Sequence, residues 1–475
     1  MRNFLLLLTF LPIFLIAQPV FRGAKIVGNY PNTFFLHTIA ATGEKPIVFT
    51  VKELPVGLSL DVSTGIIYGT APKAGIYKVE VSATNKSGTS TQTLELNIGE
   101  KLALTPPMGW NSWNVFTSDI DEKIIMEIAD AMVNTGMRDA GYEYINIDDY
   151  WHADTREADG KPKVDEKKFP NGMKHVADYV HSKGLKLGIY SCASEFTCGR
   201  RFGGYGYEEI DAKTYAEWGI DLLKYDYCFA PWNRKTAIER YTKMGEALKN
   251  SGRSIVFSIC EWGVRKPWKW GAAAGGSYWR TTFDIFDHWK GNNPFQLSVM
   301  QILKQQIGLE KYAAPGAWND PDMLIVGNYG KGNATSARGK FKGLSDTEYQ
   351  SHFALWCMLN SPLLSSCDLR NMNDATKNIL LNNELIALNQ DIEGKQATLV
   401  SKKKGIWVYK KELSDGVAYA VFNTNSKQKS FVVSELIEKK IKGTVKDLVS
   451  GKVVSNSGEA INLDAHQTFV FKVNR

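Results

Sequence analysis

Apolar and polar residues recur with two different periods along this chain, and the change of period divides it into three stretches. Between residues 24 and 99, short alternating runs (Lys25–Val27, Ile47–Val51, Ile66–Tyr68, Tyr77–Ala83, Gln92–Ile98) are interrupted by Gly, Pro, Asn and Ser. Period-two runs at that spacing predict an immunoglobulin-like β-sandwich. From 102 to 392 the texture becomes strand and helix in alternation. Candidate strands are Met108–Trp113, Tyr144–Asp149, Leu185–Ser191, Asp221–Tyr227, Ser254–Cys260, Tyr278–Ile285, Ala317–Met323 and Leu363–Asp368. Helical periodicity fills the gaps, as in Glu122–Asn134, where Ile124, Ile128 and Met132 share a face, and in Gly172–Ser182, Ala212–Trp218, Lys235–Leu248, Phe295–Ile307 and Asp346–Leu359. Eight such units in roughly 290 residues predict a (β/α)8 TIM barrel. Residues 393–475 return to alternation (Ile406–Lys410, Ala418–Phe422, Thr444–Asp447, Thr468–Lys472) and predict a C-terminal antiparallel β domain. Ahead of all three, Met1-Arg2-Asn3 precedes the apolar run Phe4–Ile16 and a small residue, Ala17. That run is too short to span a bilayer, so 1–17 is expected to be a signal peptide and the protein to be periplasmic or secreted, with no membrane span.

Composition adds less. A chain of 475 residues, 44% hydrophobic, can bury more than one core. Its net charge of +7 is mild and lacks the concentrated basic stripe that nucleic-acid binding requires. The 13 tryptophans suit sugar faces as well as cores. The six cysteines (192, 198, 228, 260, 357, 367) include no CxxC pair, so no zinc site is expected, while export permits disulfides.

In a TIM barrel, chemistry sits at the C-terminal ends of the strands. Here those ends carry Trp110 and Trp113; Asp148 and Asp149; Tyr190; Lys224 and Asp226; Glu261; Arg280 and Asp284; Asp320 and Asp322; and Asp368. One Asp after a strand is ordinarily a loop or cap residue. A ring of them with Trp, Lys and Arg points to a site, because buried carboxylates require partners. Metal sites of this fold typically include His, and these strand ends have none; no Gly-rich turn suggests a phosphate-bearing cofactor either. No cofactor is expected. Carboxylates flanked by cations suit glycoside cleavage, in which one carboxylate stays ionised and another holds a proton.

The motifs Thr105-Pro106-Pro107-Met108-Gly109-Trp110-Asn111-Ser112-Trp113, Asn146-Ile147-Asp148-Asp149, Leu223-Lys224-Tyr225-Asp226, Cys260-Glu261-Trp262, Trp279-Arg280-Thr281-Thr282-Phe283-Asp284 and Trp318-Asn319-Asp320-Pro321-Asp322-Met323-Leu324 resemble glycoside hydrolase family 27, the α-galactosidase family. The resemblance implies a retaining exo-glycosidase that removes terminal α-linked galactose, with Asp226 as nucleophile and Asp284 as acid/base. Lys224, two residues before Asp226 on the same strand face, is expected to hold that carboxylate ionised. Asp287 is the local rival of Asp284, lying past the strand end. The resemblance further implies that Asp148 and Asp149 read the galactose 4- and 6-hydroxyls, which requires the strand to turn there. It implies that Glu261 reads the 2-hydroxyl, that Arg280 binds a hydroxyl, and that Trp113, Tyr190, Asp322 and Met323 wall the pocket, with core packing an alternative for Met323.

A carboxylate at Glu261 argues against an N-acetylgalactosamine substrate, and two carboxylates at 148 and 149 argue for a hexose over arabinopyranose. The alternatives are therefore a β-L-arabinopyranosidase, an α-N-acetylgalactosaminidase, or a non-catalytic carbohydrate-binding protein. Cys198 and Cys228 match a family disulfide. Tyr150 stands where many relatives have Cys, so a second familiar disulfide is missing, and Cys192, Cys260, Cys357 and Cys367 are left unassigned. The loop Tyr329–Leu344, with Lys331, Arg338, Lys340 and Lys342, reads as a solvated loop or a leaving-group wall. The stretch Leu54–Leu60 through Gly65–Pro72 resembles the immunoglobulin-like modules appended to many bacterial exported proteins, for which a spacer or docking role is expected.

Overall fold

A computed structural model describes residues 18–331, 342–436, 444–454 and 458–475. The expected signal peptide and most of the basic loop lie outside the described residues.

Eight parallel strands form the centre of the molecule: β1 (Met108–Asn111), β2 (Tyr144–Asn146), β3 (Lys186–Cys192), β4 (Leu222–Asp226), β5 (Val256–Ile259), β6 (Tyr278–Arg280), β7 (Trp318–Asp320) and β8 (Leu363–Ser365). They pair in sequence order from β1 to β7, and β8 pairs with β1. The remaining seam is sealed just beyond β7. Leu324 bridges Ser365, and its N–H donates to the Leu364 carbonyl at 2.8 Å. The sheet is thus a closed barrel with no free edge.

The strands are near-continuous apolar runs because both faces are covered, by helices outside and by side chains within. Their inward faces change character along the barrel axis. At the floor, Tyr144, Leu222, Val256, Tyr278 and Trp318 pack with Leu102 into one apolar plug. Two residues further along the same strands stand Asn146, Lys224, Ser258, Arg280 and Asp320. With period two, these project from the same face and line a polar cavity above the plug.

Local signals set the outer helices. Asp121 caps Glu122–Asn134 by accepting the Ile124 N–H, and Ser345 with Glu348 forms a capping box at Asp346–Met358. On Glu122–Asn134 the inward residues are Ile125, Ile128, Ala129 and Met132, whereas Ile124 is only half-buried. Asp346–Met358 is buried almost all round, since the barrel lies on one side and the C-terminal sheet on the other. That sheet orders Thr398–Lys403, Ile406–Leu413, Gly416–Asn423 and Thr468–Asn474 antiparallel. Phe422 and His466 close it against Trp289 of the barrel.

The N-terminal sandwich has a four-stranded sheet (Ile26–Asn29, Gly88–Ile98, Gly75–Asn85, Val48–Lys52) facing a three-stranded one (Phe34–Thr38, Ile66–Thr70, Leu58–Asp61). Phe35, Phe49, Ile67, Val81 and Leu96 fill the space between. It docks at the floor of the barrel, against the segments that lead into β2, β3 and β5. The Tyr30 N–H donates to Ser254 Oγ (2.9 Å), and Thr38 Oγ1 donates to the Gly184 carbonyl (2.7 Å). Gly184 has φ +72°, and any Cβ there would strike Thr38 and Ile66, so the contact selects glycine. His37 of the sandwich and Lys186 of the barrel both pair with Glu143, at 2.7 and 2.8 Å.

Several expected strands prove shorter. The chain leaves β1 at Asn111 and enters a helical turn, Trp113–Phe116, and β2 stops at Asn146, before its two aspartates. The expected strand Tyr278–Ile285 breaks after Arg280, and Asp284–Ile285 instead pairs with Gln296–Leu297. The expected helix 295–307 is confined to Val299–Gln305, begun by the Ser298–Gln301 capping box. In each case the pattern was extended through residues whose partners lie in the rim rather than in the sheet.

Burial of Glu143 works against its charge, but Lys186 and His37 outweigh it and hold the carboxyl down at about 2. A depressed carboxyl stabilises the fold above its unfolded value and loses that contribution as pH falls toward 2. Replacing Glu143 by Gln removes the acidic partner of both Lys186 and His37. It is expected to cost about 3 kcal/mol in urea unfolding at pH 7 and little near pH 2.

Candidate active site

The βα loops at the C-terminal rim hold two clusters of charge. In the first, Asp148 is buried and its Oδ2 accepts from Lys224 Nζ (2.8 Å) and Asn111 Nδ2 (2.9 Å). The chain turns here. The Asp148 N–H donates to Ser112 Oγ (2.9 Å), the Asp149 N–H donates to Asp148 Oδ1, and Tyr150 adopts φ +75°. Asp149 accepts from the Tyr150 N–H (2.8 Å) and the Gly199 N–H (2.7 Å). A Cβ at Gly199 would come within 2.9 Å of that carboxylate, so the close approach requires glycine. Burial raises the Asp149 pKa, and the two N–H donors oppose it.

Asp226, at the end of β4, is 5% exposed. Its carboxylate accepts from Tyr190 OH (3.1 Å) and the Tyr227 N–H (2.9 Å). Burial pushes its pKa up to about 7; Lys224 pulls it down, and the charge of Asp284 pushes it up again. Lys224, expected to hold the Asp226 carboxylate ionised, does pull its pKa down, but burial outweighs that pull. The direct partner of Lys224 is Asp148, which follows β2, one strand beyond the neighbouring β3, and its effect on Asp226 is through space. Burial alone would lower the Lys224 pKa, but Asp148 carries it well above the ordinary lysine value, so the ammonium is fixed as a cation.

The second cluster centres on Arg280. Its Nη2 lies 3.1 Å from Asp284 Oδ1 and 3.0 Å from Asp322 Oδ2. Asp322 also accepts the Ile285 N–H at 2.8 Å, which fixes the backbone beside Asp284. The Asp284 side chain is 48% exposed, against 3% for Arg280 and Asp322. Burial raises Asp322, opposed by Arg280, and raises Asp320 to about 6. Asp287 takes no part in this cluster. It is buried and accepts from the Gly330 and Leu344 N–H groups and from Tyr349 OH, so it ties together the two stems of the 329–344 loop.

Glu261 is fully buried. Both its oxygens receive the Arg265 N–H (3.1 and 2.8 Å), and Oε2 also receives Arg265 Nη1 (3.0 Å). Burial lifts its pKa to about 7 and Arg265 pulls against that. Trp113 stacks on Tyr150 at 6.1 Å with 6° between the rings. Cys198 and Cys228 are joined. Their sulfurs and a carboxylate oxygen of Asp226 all lie within 4.8 Å of one another, and sulfurs held in a disulfide offer no thiolate to a metal. Cys192, Cys260, Cys357 and Cys367 are buried thiols. Trp110 is buried and donates Nε1–H to the Cys367 carbonyl; Met323, also buried, borders the interior cavity.

Sequence reasoning passed over Asn111, Gly199 and Arg265. Asn111 closes β1 within a quoted motif, and Arg265 stands four residues after Glu261, a spacing that could have signalled the pair.

A closed barrel that gathers half a dozen carboxylates at one rim, each matched to a cation or a backbone N–H, has the architecture of a carbohydrate-cleaving hydrolase. By comparison with known proteins the chain belongs to the family described as "Alpha galactosidase A", whose model matches residues 105–391. Residues 22–99 match the model described as "Putative Ig domain". The chain is 48% identical over 331 residues to alpha-galactosidase A of Cellvibrio japonicus, covering 69% of this chain and 77% of that protein. It is 39% identical to human alpha-galactosidase A, covering 69% and 75%. Among solved structures, a Bacteroides fragilis protein described as a "putative alpha-galactosidase" superposes with a TM-score of 0.92 at 45% identity, covering 98% of this chain and all of the other.

The raised pKa of Asp226 implies a stability cost. Between about pH 4 and 7 the folded protein holds a proton that the unfolded chain releases, so this group's contribution declines as pH rises through that window. Asp226→Asn is therefore expected to melt above the unsubstituted protein at pH 8, with the difference shrinking toward pH 4. Calorimetry at the two pH values checks this.

Proposed function

We propose that this protein is a retaining exo-α-galactosidase in which Asp226 attacks the anomeric carbon and Asp284 moves the proton. One observation carries the assignment: two carboxylates that sense each other's charge, one buried and hydrogen-bonded, the other half-exposed on a separate loop. A nucleophile must be held still and kept from water, as Asp226 is by Tyr190 and Tyr227. An acid/base must reach both the leaving oxygen and an incoming water, which suits the exposed side chain of Asp284. Asp226 displaces the leaving alcohol, which takes its proton from Asp284 as the covalent glycosyl-enzyme forms. Water then gives a proton to Asp284 and attacks the same carbon, releasing galactose and freeing Asp226.

Asp148 with Lys224, and Asp149 beside them, supply acceptors and a donor for the hydroxyls at C4 and C6. Glu261 and Arg280 are assigned to the 2-hydroxyl side, with Trp113, Tyr190 and Asp322 forming the wall. A buried, cation-held carboxylate at 261 leaves an acetamide group facing an ionic pair, which favours galactose over N-acetylgalactosamine. The relatives named alpha-galactosidase support the same sugar. Export to a periplasmic or extracellular space is supported by the Cys198–Cys228 disulfide. Among the described residues no helix is long and apolar enough to cross a membrane.

Asp226→Ala is expected to lower kcat on a nitrophenyl α-galactoside by about 10⁴-fold or more. Asp284→Ala is expected to lower it by about 10²–10⁴-fold on unactivated substrates and less on activated ones, with azide restoring turnover. Wild-type-like turnover by Asp226→Ala would remove it from the mechanism, and preferential cleavage of the matching β-L-arabinopyranoside would remove galactose as the substrate.

The acid limb of kcat/KM is expected near pH 7, where Asp226 ionises. Tyr190→Phe deletes a donor that favours the anion. It should shift that limb to higher pH and reduce kcat/KM roughly tenfold, as a pH–rate profile would show.

A further inference from the structure

The segment Phe229-Ala230-Pro231-Trp232, between β4 and the helix Arg234–Lys249, places two large aromatic side chains in solvent. Phe229 is 56% exposed and Trp232 68% exposed. Single exposed apolar residues are common, but large rings grouped on one fixed loop can mark a binding site. This loop is not loose. At one end Cys228 is cross-linked to Cys198; at the other Asn233 caps the helix by accepting the Thr236 N–H. Pro231 stiffens the middle.

Trp232 is also held from beneath. Arg265 Nε donates to the Trp232 carbonyl at 3.1 Å, and the guanidinium carbon lies 4.7 Å from the indole and 4.4 Å from the ring of Tyr227. Arg265 is itself buried and ends on Glu261. One face of the indole is thus backed by a cation and the rest is open, and a single residue links it to the sugar pocket.

We propose that Trp232, on the same loop as the exposed Phe229, forms a leaving-group subsite that takes the second sugar ring of an α-galactosyl oligosaccharide or a galactose-branched polysaccharide. The apolar C–H face of a pyranose stacks on an immobile indole without ordering a mobile loop, so little of the contact energy is lost to entropy. The occupant follows from continuity with the pocket. Whatever is bonded to the anomeric carbon in the cleft leaves toward the rim, and Arg265 joins Trp232 to Glu261 there. The proposal rests on the galactosidase reading above.

The test compares kcat/KM for an α-1,6-galactosyl disaccharide with that for methyl α-galactoside, whose leaving group is too small to stack. Trp232→Ala in the full chain is expected to reduce the disaccharide-to-methyl ratio about tenfold, equivalent to about 1.4 kcal/mol, mainly through KM. Trp232→Phe, which keeps a ring, is expected to restore most of it. An equal fall on both substrates would mean that Trp232 acts only by supporting Arg265 and Glu261, and would overturn the subsite, as would an unchanged ratio. If the unsubstituted protein cleaves neither galactoside, the galactosidase reading fails and the subsite falls with it, a result distinct from either outcome in the variant.

Discussion

Everything at the rim of this barrel follows from the difficulty of keeping carboxylates out of water. Asp148, Asp226, Glu261, Asp320 and Asp322 are all buried, and three cations, Lys224, Arg265 and Arg280, stand among them. Two of those cations come from one layer of the barrel interior, directly above the apolar plug. Lys224 and Arg280 project from β4 and β6 because the pleat places them over Leu222 and Tyr278. The barrel therefore carries its own counter-charge on its most rigid elements, and the loops above need only bring acids to it. Where no cation reaches, backbone N–H groups serve, as Gly199 and Tyr150 do for Asp149. Asp226 accepts from Tyr190 and the Tyr227 N–H, and burial keeps its pKa high.

Much of this was legible in the sequence. The eight strands announce themselves as apolar runs of the right length, since parallel strands are covered on both faces. Their ends were less legible, because Asp148, Asp149 and Asp284 continue the texture of a strand while their bonds go to loops and side chains. In the sandwich, Phe34–Thr38 escaped notice because its burial is nearly continuous and gives no alternation. Spacing told that Lys224 and Asp226 share a face but could not tell what stands opposite, and Asp148 lies 76 residues away. The role of Asp287 was equally hidden, since its partners Gly330, Leu344 and Tyr349 meet only in the folded chain.

The loops are fixed by different means at different points of the rim. A disulfide joins the loops after β3 and β4, drawing the Gly199 N–H onto Asp149 and setting Phe229 and Trp232 in place. Between the loops after β1 and β2, Trp113 stacks on Tyr150. Asp287 pins the stems of the loop after β7. Each device fixes a rim loop to its neighbour.

The N-terminal sandwich meets the barrel at the opposite pole, where Gly184, Ser254 and Glu143 precede their strands. Stability and chemistry are thereby separated along one axis. Substitutions can accumulate in the rim loops, trading one leaving group for another, without touching the contacts that seat the sandwich. The reverse also holds, so the sandwich can change its outer surface while the cleft stays as it is. The two ends of the molecule are free to diverge on independent evolutionary schedules.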